Sequence, residues 1–265
     1  GPQGAVGPQG PTGPQGATGA TGTFDTQCVI SSGDWDQFRN CALAPAVVFN
    51  SIPFPTPPNV ISEGFECCQN AELGDQITLA GTARKGVSAT VLMSDWALHS
   101  QFPAMSTAGF THPITLNIYS DAGHAALHTP DVGTVTQSFL IPWRPEADPT
   151  CPTPTAWRAG NGSCYNGFAT PITFNLGGIV LPNTFIYGIA YNTRSLGYAV
   201  IGGASGPYDS LNVGLNSTPP IAVGTDVTTG TVWRAIQAYG GAAGPFAPDT
   251  GWSPYTPAVK FTTLN

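Results

Sequence analysis

The chain holds six cysteines, four histidines and fifteen acidic residues against eight basic ones, and their spacing limits the chemistry they can serve. Cys151 and Cys164 bracket the turn-rich loop PTPTAWRAGNGS, and Cys28 and Cys41 bracket a stretch of the same length. Bridging either pair would constrain the unfolded chain by about 3 kcal/mol. Cys67 and Cys68 are adjacent. They have three outlets: a vicinal bridge, bonds to other chains, or pairing with Cys28 and Cys41. Cys151–Cys164 is the first expected bridge and Cys28–Cys41 the second. Zinc fits poorly, because no CxxC occurs and no cysteine has a histidine at ligand spacing.

His124 and His128, four apart and close to Asp121, would offer metal ligands on one face of a helix. Gly123 and Pro130 bound that stretch, however, so DAGHAALHTP reads as a polar loop between strands. Asp95, His99 and Ser100 hint at an acid–base pair, but they fall where a strand runs into a loop. There is no GxSxG elbow, P-loop or HExxH. No enzymatic activity and no catalytic residue is expected. Loop carboxylates Asp34, Asp36, Glu146, Asp148 and Asp226 are weak calcium candidates, since calcium takes hard oxygen ligands. Ordinary solvated turns explain them more simply, and no other cofactor is implied. Among six tryptophans and eight tyrosines, Trp143, Trp157, Trp233, Trp252 and Tyr255 fall in or near loops. They are the candidate ligand-facing aromatics if the protein binds glycan, although anchoring a core is the commoner role of such rings. Asn161-Gly-Ser and Asn216-Ser-Thr match the glycosylation sequon.

The elements that must position these residues are strands. Period-2 or β-branched segments recur at Ala46–Ile52, Gln76–Ala83, Val87–Ser94, Ile114–Tyr119, Thr134–Ile141, Ile172–Leu176, Phe185–Asn192, Tyr198–Ile201, Leu211–Leu215, Val232–Tyr239 and Ala258–Thr263. Gly/Pro turns separate them, PFPTPPN and the Pro/Cys-rich 142–170 stretch read as loops, and no long amphipathic helix is evident. The pattern predicts an all-β fold, an antiparallel β-sandwich or jelly roll, over residues 46–265. Residues 25–45 read as a connector.

Residues 1–24 are organised differently. Gly1, Gly4, Gly7, Gly10, Gly13, Gly16, Gly19 and Gly22 stand in unbroken Gly-X-Y register, with prolines at Pro2, Pro8, Pro11 and Pro14. A flexible linker needs no such period. A collagen triple helix does, because only glycine fits where three polyproline II chains crowd the axis. The run carries no charge and loses proline toward its end, so it is too short and weak for a free-standing rod. A trimerising neighbour or enclosure in an assembly would stabilise it.

Charged residues make up only 9% of the chain, with a net charge of −7, against about 25% in ordinary domains. No basic cluster favours nucleic acid, and no run approaches the roughly 20 apolar residues of a membrane span. So little charge suits either a secreted β protein or a subunit covered by its neighbours. The cysteines point to an oxidising, extracellular compartment. With no leader before Gly1, the chain reads as a processed or truncated form.

The Gln- and Thr-filled triplets resemble bacterial and viral collagen-like proteins. Six further phrases, GDQITLAGTAR (74–84), VLMSDWALHS (91–100), THPITLNIYSD (111–121), FLIPWRPEADPTC (139–151), IYGIAYNT (186–193) and GPYDSLNVGL (206–215), resemble a group of uncharacterised secreted bacterial β-domain proteins. That resemblance spans residues 46–264 and implies export and a β fold, but no catalytic residue. The Gly-X-Y run and the Cys67–Cys68 doublet depart from the group's pattern. A stalk with a globular head also resembles the layout of C1q-like, TNF-like and spore-surface proteins. The expectation is a secreted, extracellular or cell-surface structural subunit that homotrimerises through the stalk and assembles head-to-tail into a fibre, filament or layer. The alternative is a stalked adhesin whose head binds glycan or a host or matrix protein.

Overall fold

The computed structural model describes residues 44–64, 70–191, 207–217, 221–237 and 243–265. The chain divides into two units, Gly1–Ala42 and Leu43–Asn265, and the description concerns the second. The Gly-X-Y run, Cys28, Cys41, Cys67, Cys68, Asp34, Asp36 and the Tyr198–Ile201 strand expectation lie outside the described residues.

Among the described residues sixteen strands form, all pairing antiparallel: β1 Ala46–Asn50, β2 Ile61–Gly64, β3 Asn70–Thr78, β4 Lys85–Asp95, β5 Phe110–Tyr119, β6 Gly133–Ile141, β7 Trp157–Arg158, β8 Cys164–Tyr165, β9 Phe168–Asn175, β10 Thr184–Ala190, β11 Leu211–Asn216, β12 Thr225–Asp226, β13 Val232–Ile236, β14 Ala247–Asp249, β15 Thr256–Pro257 and β16 Val259–Leu264. One seven-stranded sheet runs β1-β16-β4-β11-β15, with β9 on β4 and β2 on β11. The other runs β14-β13-β3-β10-β5-β6, with β12 on β3, and β7 and β8 form a small hairpin.

The two large sheets share one core. Phe261 of β16 packs edge-on against Phe185 and Tyr187 of β10 at 5.3 and 5.5 Å, and Phe139 of β6 meets Phe174 of β9 at 4.9 Å. Each such ring stabilises by about 1.5–3 kcal/mol through area removed from water. The all-β, sandwich-like expectation therefore holds for the described residues.

Strand alternation follows the sheets' surroundings. In β6 exposed and half-buried positions alternate from Gly133 to Leu140, because one face meets the core and the other meets solvent. In β4, Ala89, Val91 and Met93 face the core, yet Leu92 and Ser94 are buried too. The outer face of β4 is covered locally, with Leu92 packing on Val60 and Ala258.

At Ala258 the chain passes from β11 to β4. Its N–H donates to the Gly214 carbonyl and its carbonyl accepts from Leu92 N–H, both at 2.9 Å. Ser51 Oγ plugs the junction by donating to the Pro257 and Val259 carbonyls and accepting from Val259 N–H.

Two expectations need correction. DAGHAALHTP is not a loop: Ala122–Ala126 forms a short helix, α1, because Asp121 Oδ1 accepts from the Gly123 and His124 amides as its N-cap. His128, at φ +52°, then turns the chain out of the helix in the left-handed region. The 142–170 stretch is also not all loop. Trp157 and Arg158 pair with Tyr165 and Cys164, and β9 begins at Phe168.

Candidate functional site

The Cys151–Cys164 bridge is present, with Cα atoms 5.9 Å apart. It ties the β7–β8 hairpin to the preceding loop. Arg158 secures the same loop, donating to Asp148 Oδ2 (3.0 Å), the Thr150 carbonyl (2.8 Å) and the Gly162 carbonyl (2.7 Å).

Other predicted residues separate. Asp148 is occupied by Arg158 and Thr150, and Glu146 accepts from Ser100 N–H and Oγ. Asp226 caps the Thr228 amide. Among the described residues no group of three or more His, Cys, Asp and Glu is placed to hold a metal. Asp95, His99 and Ser100 do not converge: Asp95 is buried, His99 Nε2 contacts the Met105 carbonyl and Ser100 faces Glu146. His124 and His128 diverge as well. His124 pairs with Asp121, raising its pKa, while His128 turns inward to Glu72.

Of the five aromatics expected to face ligand, Trp143, Trp157 and Trp233 are buried, and Trp252 and Tyr255 pack against the core. Trp143 stacks with Phe102 and donates to the Ser106 carbonyl, and Trp157 donates to the Gly167 carbonyl. These rings anchor loops, because a bulky ring on a loop gains most by closing over the sandwich edge.

Buried polar groups fall into distinct clusters. Glu72 accepts from Tyr119 Oη at 2.9 Å, Asn117 Nδ2 at 2.9 Å and His128 Nδ1 at 3.0 Å. His128 Nε2 lies 2.8 Å from the Gly244 carbonyl. The hydrogen bond to Glu72 is the main reason the His128 pKa is raised, against the opposing effect of burial. A Cβ on Gly188 would overlap the Glu72 carboxylate, so glycine is required across the strand pair. Glu63, almost wholly buried, accepts from Asn70 and Arg234, and Arg234 also pairs with Asp249; burial nonetheless raises the Glu63 pKa. Asp75 accepts from Thr256 Oγ1 and Gln76 N–H, and burial followed by the nearby Asp226 charge pushes its pKa well up.

At the end of β4, Asp95 is fully buried and Oδ1 accepts from Ala97 N–H at a long 3.3 Å, while Oδ2 lacks a hydrogen-bond partner among the described residues. Burial raises its pKa to about 8 despite the neighbouring amides and Arg144. His112, also fully buried, sits against the rings of Tyr191 and Tyr208, and neither ring nitrogen has a hydrogen-bond partner among the described residues. Burial lowers its pKa to about 4.

The surface feature that sequence reasoning missed is Trp96, immediately after β4 and 42% exposed. It borders a groove of about 440 Å³ whose other walls are Asn59, Val60, Ile61, Ser62 and Tyr165. The indole N–H points inward, donating to Ser94 Oγ at 3.0 Å, and Ser94 Oγ donates to Asn59 Oδ1 at 2.7 Å. With the Asn212 amide oriented to satisfy both its ends, its oxygen accepts from Ser62 Oγ (3.1 Å) and Trp96 Nε1 (3.3 Å). Trp96 N–H also donates to the Ser210 carbonyl, and the Trp96 carbonyl accepts from Arg144 Nε. Both backbone and ring are therefore fixed. Gly167 closes the network from behind: a Cβ there would stand 2.6–2.7 Å from Ser94 Oγ, Asn59 Oδ1 and Trp96 Nε1. The only sequence signal was Trp two residues after a strand-end Ser.

Comparison with known proteins finds no matching family model, no similar curated protein and no similar solved structure.

Proposed function

We propose that the protein is a secreted extracellular structural subunit. Residues 1–24 form a collagen triple helix that homotrimerises the chain, residues 25–45 connect, and residues 46–265 form a jelly-roll head. The trimers assemble head-to-tail into a fibre, filament or surface layer, an open heterologous arrangement. The observation that carries this reading is the unbroken glycine register from Gly1 to Gly22, which has a physical use only in three chains. Two further facts support it. The head is a β-sandwich stapled by Cys151–Cys164, in keeping with an oxidising compartment. No helix among the described residues is long and apolar enough to cross a membrane.

Mass photometry of the full chain and of a chain lacking residues 1–24, each with and without reductant, tests the proposal. Trimers or larger species that require residues 1–24 are expected, with long ordered particles in electron micrographs. Equal monomer masses for both chains would overturn it.

A further inference from the structure

We propose that the groove beside Trp96 is a binding site for a neutral saccharide. The inference is independent of trimerisation, since every residue that builds the site belongs to one head. Three properties of the groove converge on this ligand class.

The first is an aromatic face that is exposed and held still. Large exposed rings are usually mobile or incidental. Here the indole nitrogen is tied to Ser94 and Asn212, the backbone to Ser210 and Arg144, and Gly167 leaves no slack beneath. A fixed ring loses little entropy when a ligand stacks on it, so the contact energy is kept as affinity. The apolar C–H face of a pyranose is the natural partner for such a surface, in weak but additive contacts.

The second is the polar rim. Asn59, Ser62 and Tyr165 border the groove: the Asn59 amide N–H and the Tyr165 hydroxyl, which accepts from Asn161, can donate, and Ser62 Oγ, whose proton goes to Asn212, can accept. Sugar hydroxyls also do both. A proline-rich polyproline II peptide, the other ligand class that docks on aromatic grooves, presents mainly carbonyl acceptors and would leave the rim's acceptors unmatched.

The third is charge. Among the described residues no carboxylate, ammonium or guanidinium lines the groove, so an anionic or cationic ligand would be desolvated there without a counter-charge. Its volume of about 440 Å³ falls in the usual range for small-molecule sites.

The test uses the full chain and four neutral probes: cello-, malto-, chito- and galacto-oligosaccharides. Saturation-transfer NMR detects binding, and the Trp96 indole N–H resonance reports its place. At least one probe is expected to bind saturably and shift that resonance. Trp96→Ala should weaken it at least about tenfold, through loss of stacking, and Trp96→Phe should retain most of the affinity because a ring remains. Ile61→Glu projects a charge into the groove from a half-exposed edge position. It should abolish binding with an unchanged melting temperature, which separates loss of the site from loss of the fold. Absence of saturable binding by all four probes would overturn the proposal, as would binding that survives both Trp96→Ala and Ile61→Glu. So would capture of a (Gly-Pro-Gln)-repeat peptide at the same resonance with no saccharide response.

Discussion

Glu72 and Asp95 are both carboxylates sealed inside the same sandwich, 2% and 0% exposed, yet their surroundings treat them oppositely. Glu72 collects three side-chain donors from two parts of the fold: Tyr119 and Asn117 of β5, and His128 just past α1. Asp95 has one long amide hydrogen bond from Ala97, with the Trp96 and Arg144 amides nearby, and a second oxygen with no hydrogen-bond partner among the described residues. The same division separates two histidines: His128 rests on a carboxylate, and His112 is wrapped in aromatic rings. Burial alone therefore does not set the behaviour of a polar group. The number of partners delivered by neighbouring elements does, and here it separates a cross-linked cluster from groups held neutral by burial.

The most severe way to break the contrast is Glu72→Ala, which leaves the Tyr119 hydroxyl, the Asn117 amide and His128 without their common acceptor. A loss of about 3–5 kcal/mol is expected in chemical denaturation, as when one member of a buried pair is removed. Glu72→Gln keeps the shape but not the charge, and should cost about 1–3 kcal/mol.

His128→Gln tests the same cluster through pH. The folded-state pKa of His128 is raised, so its contribution is full below the ordinary histidine value of 6.5 and disappears as pH rises through the raised value. Melts across pH 5–9 should show a decline in the wild type that is shallower in the variant, which keeps the part due to Asp95. On the other side, Asp95 with its pKa near 8 against an ordinary 3.8 holds a proton that the unfolded chain releases. Wild-type stability then falls as pH rises from 3.8 to 8. Asp95→Asn should remove that slope, differing from wild type by only about 1 kcal/mol near pH 5 and exceeding it in stability at pH 9.

The smallest effect belongs to His112→Leu. With its pKa lowered to about 4 from 6.5, His112 opposes folding progressively as pH falls through that window, because the unfolded chain takes up a proton the native state refuses. The variant should match wild type within about 1 kcal/mol at pH 7 and lose less stability at pH 4.5. A steeper acid loss in His112→Leu would contradict the idea that the two regions differ by partner number.

These clusters explain which parts of the fold were legible in the sequence. Where a strand has one wet and one dry face, as in β6 and β16, strict alternation names it. The β3 strand hid its first half because Asn70, Glu72 and Asp75 point into the protein, and a run with buried acids does not read as a strand. Its expected span, Gln76–Ala83, therefore lay too far along the chain. The two-residue strands β12 and β15 are set by long-range pairing rather than by local pattern, β7 and β8 form a two-residue hairpin too short to show alternation, and β2 and β14 are scarcely longer. The site was less legible still. The aromatics chosen for their loop positions are mostly the ones that loops bury, whereas Trp96 is held at the surface by Ser94, Asn212 and Ser210, residues up to 116 positions away in the chain.

The placement of β16 carries a consequence for how the head comes into being. This strand lies between β1 and β4, pairing Phe261 with Phe49 on one side and with Ala89 on the other. Until Val259–Leu264 is available, β1 has no neighbour in its sheet and β4 lacks its central partner. A nascent chain that has reached Tyr255 cannot finish the head, however much of it has emerged. Closure waits on contacts spanning nearly the whole domain, the slowest kind to form. Until β16 inserts, the sheet that holds β1 and β4 is therefore split in two.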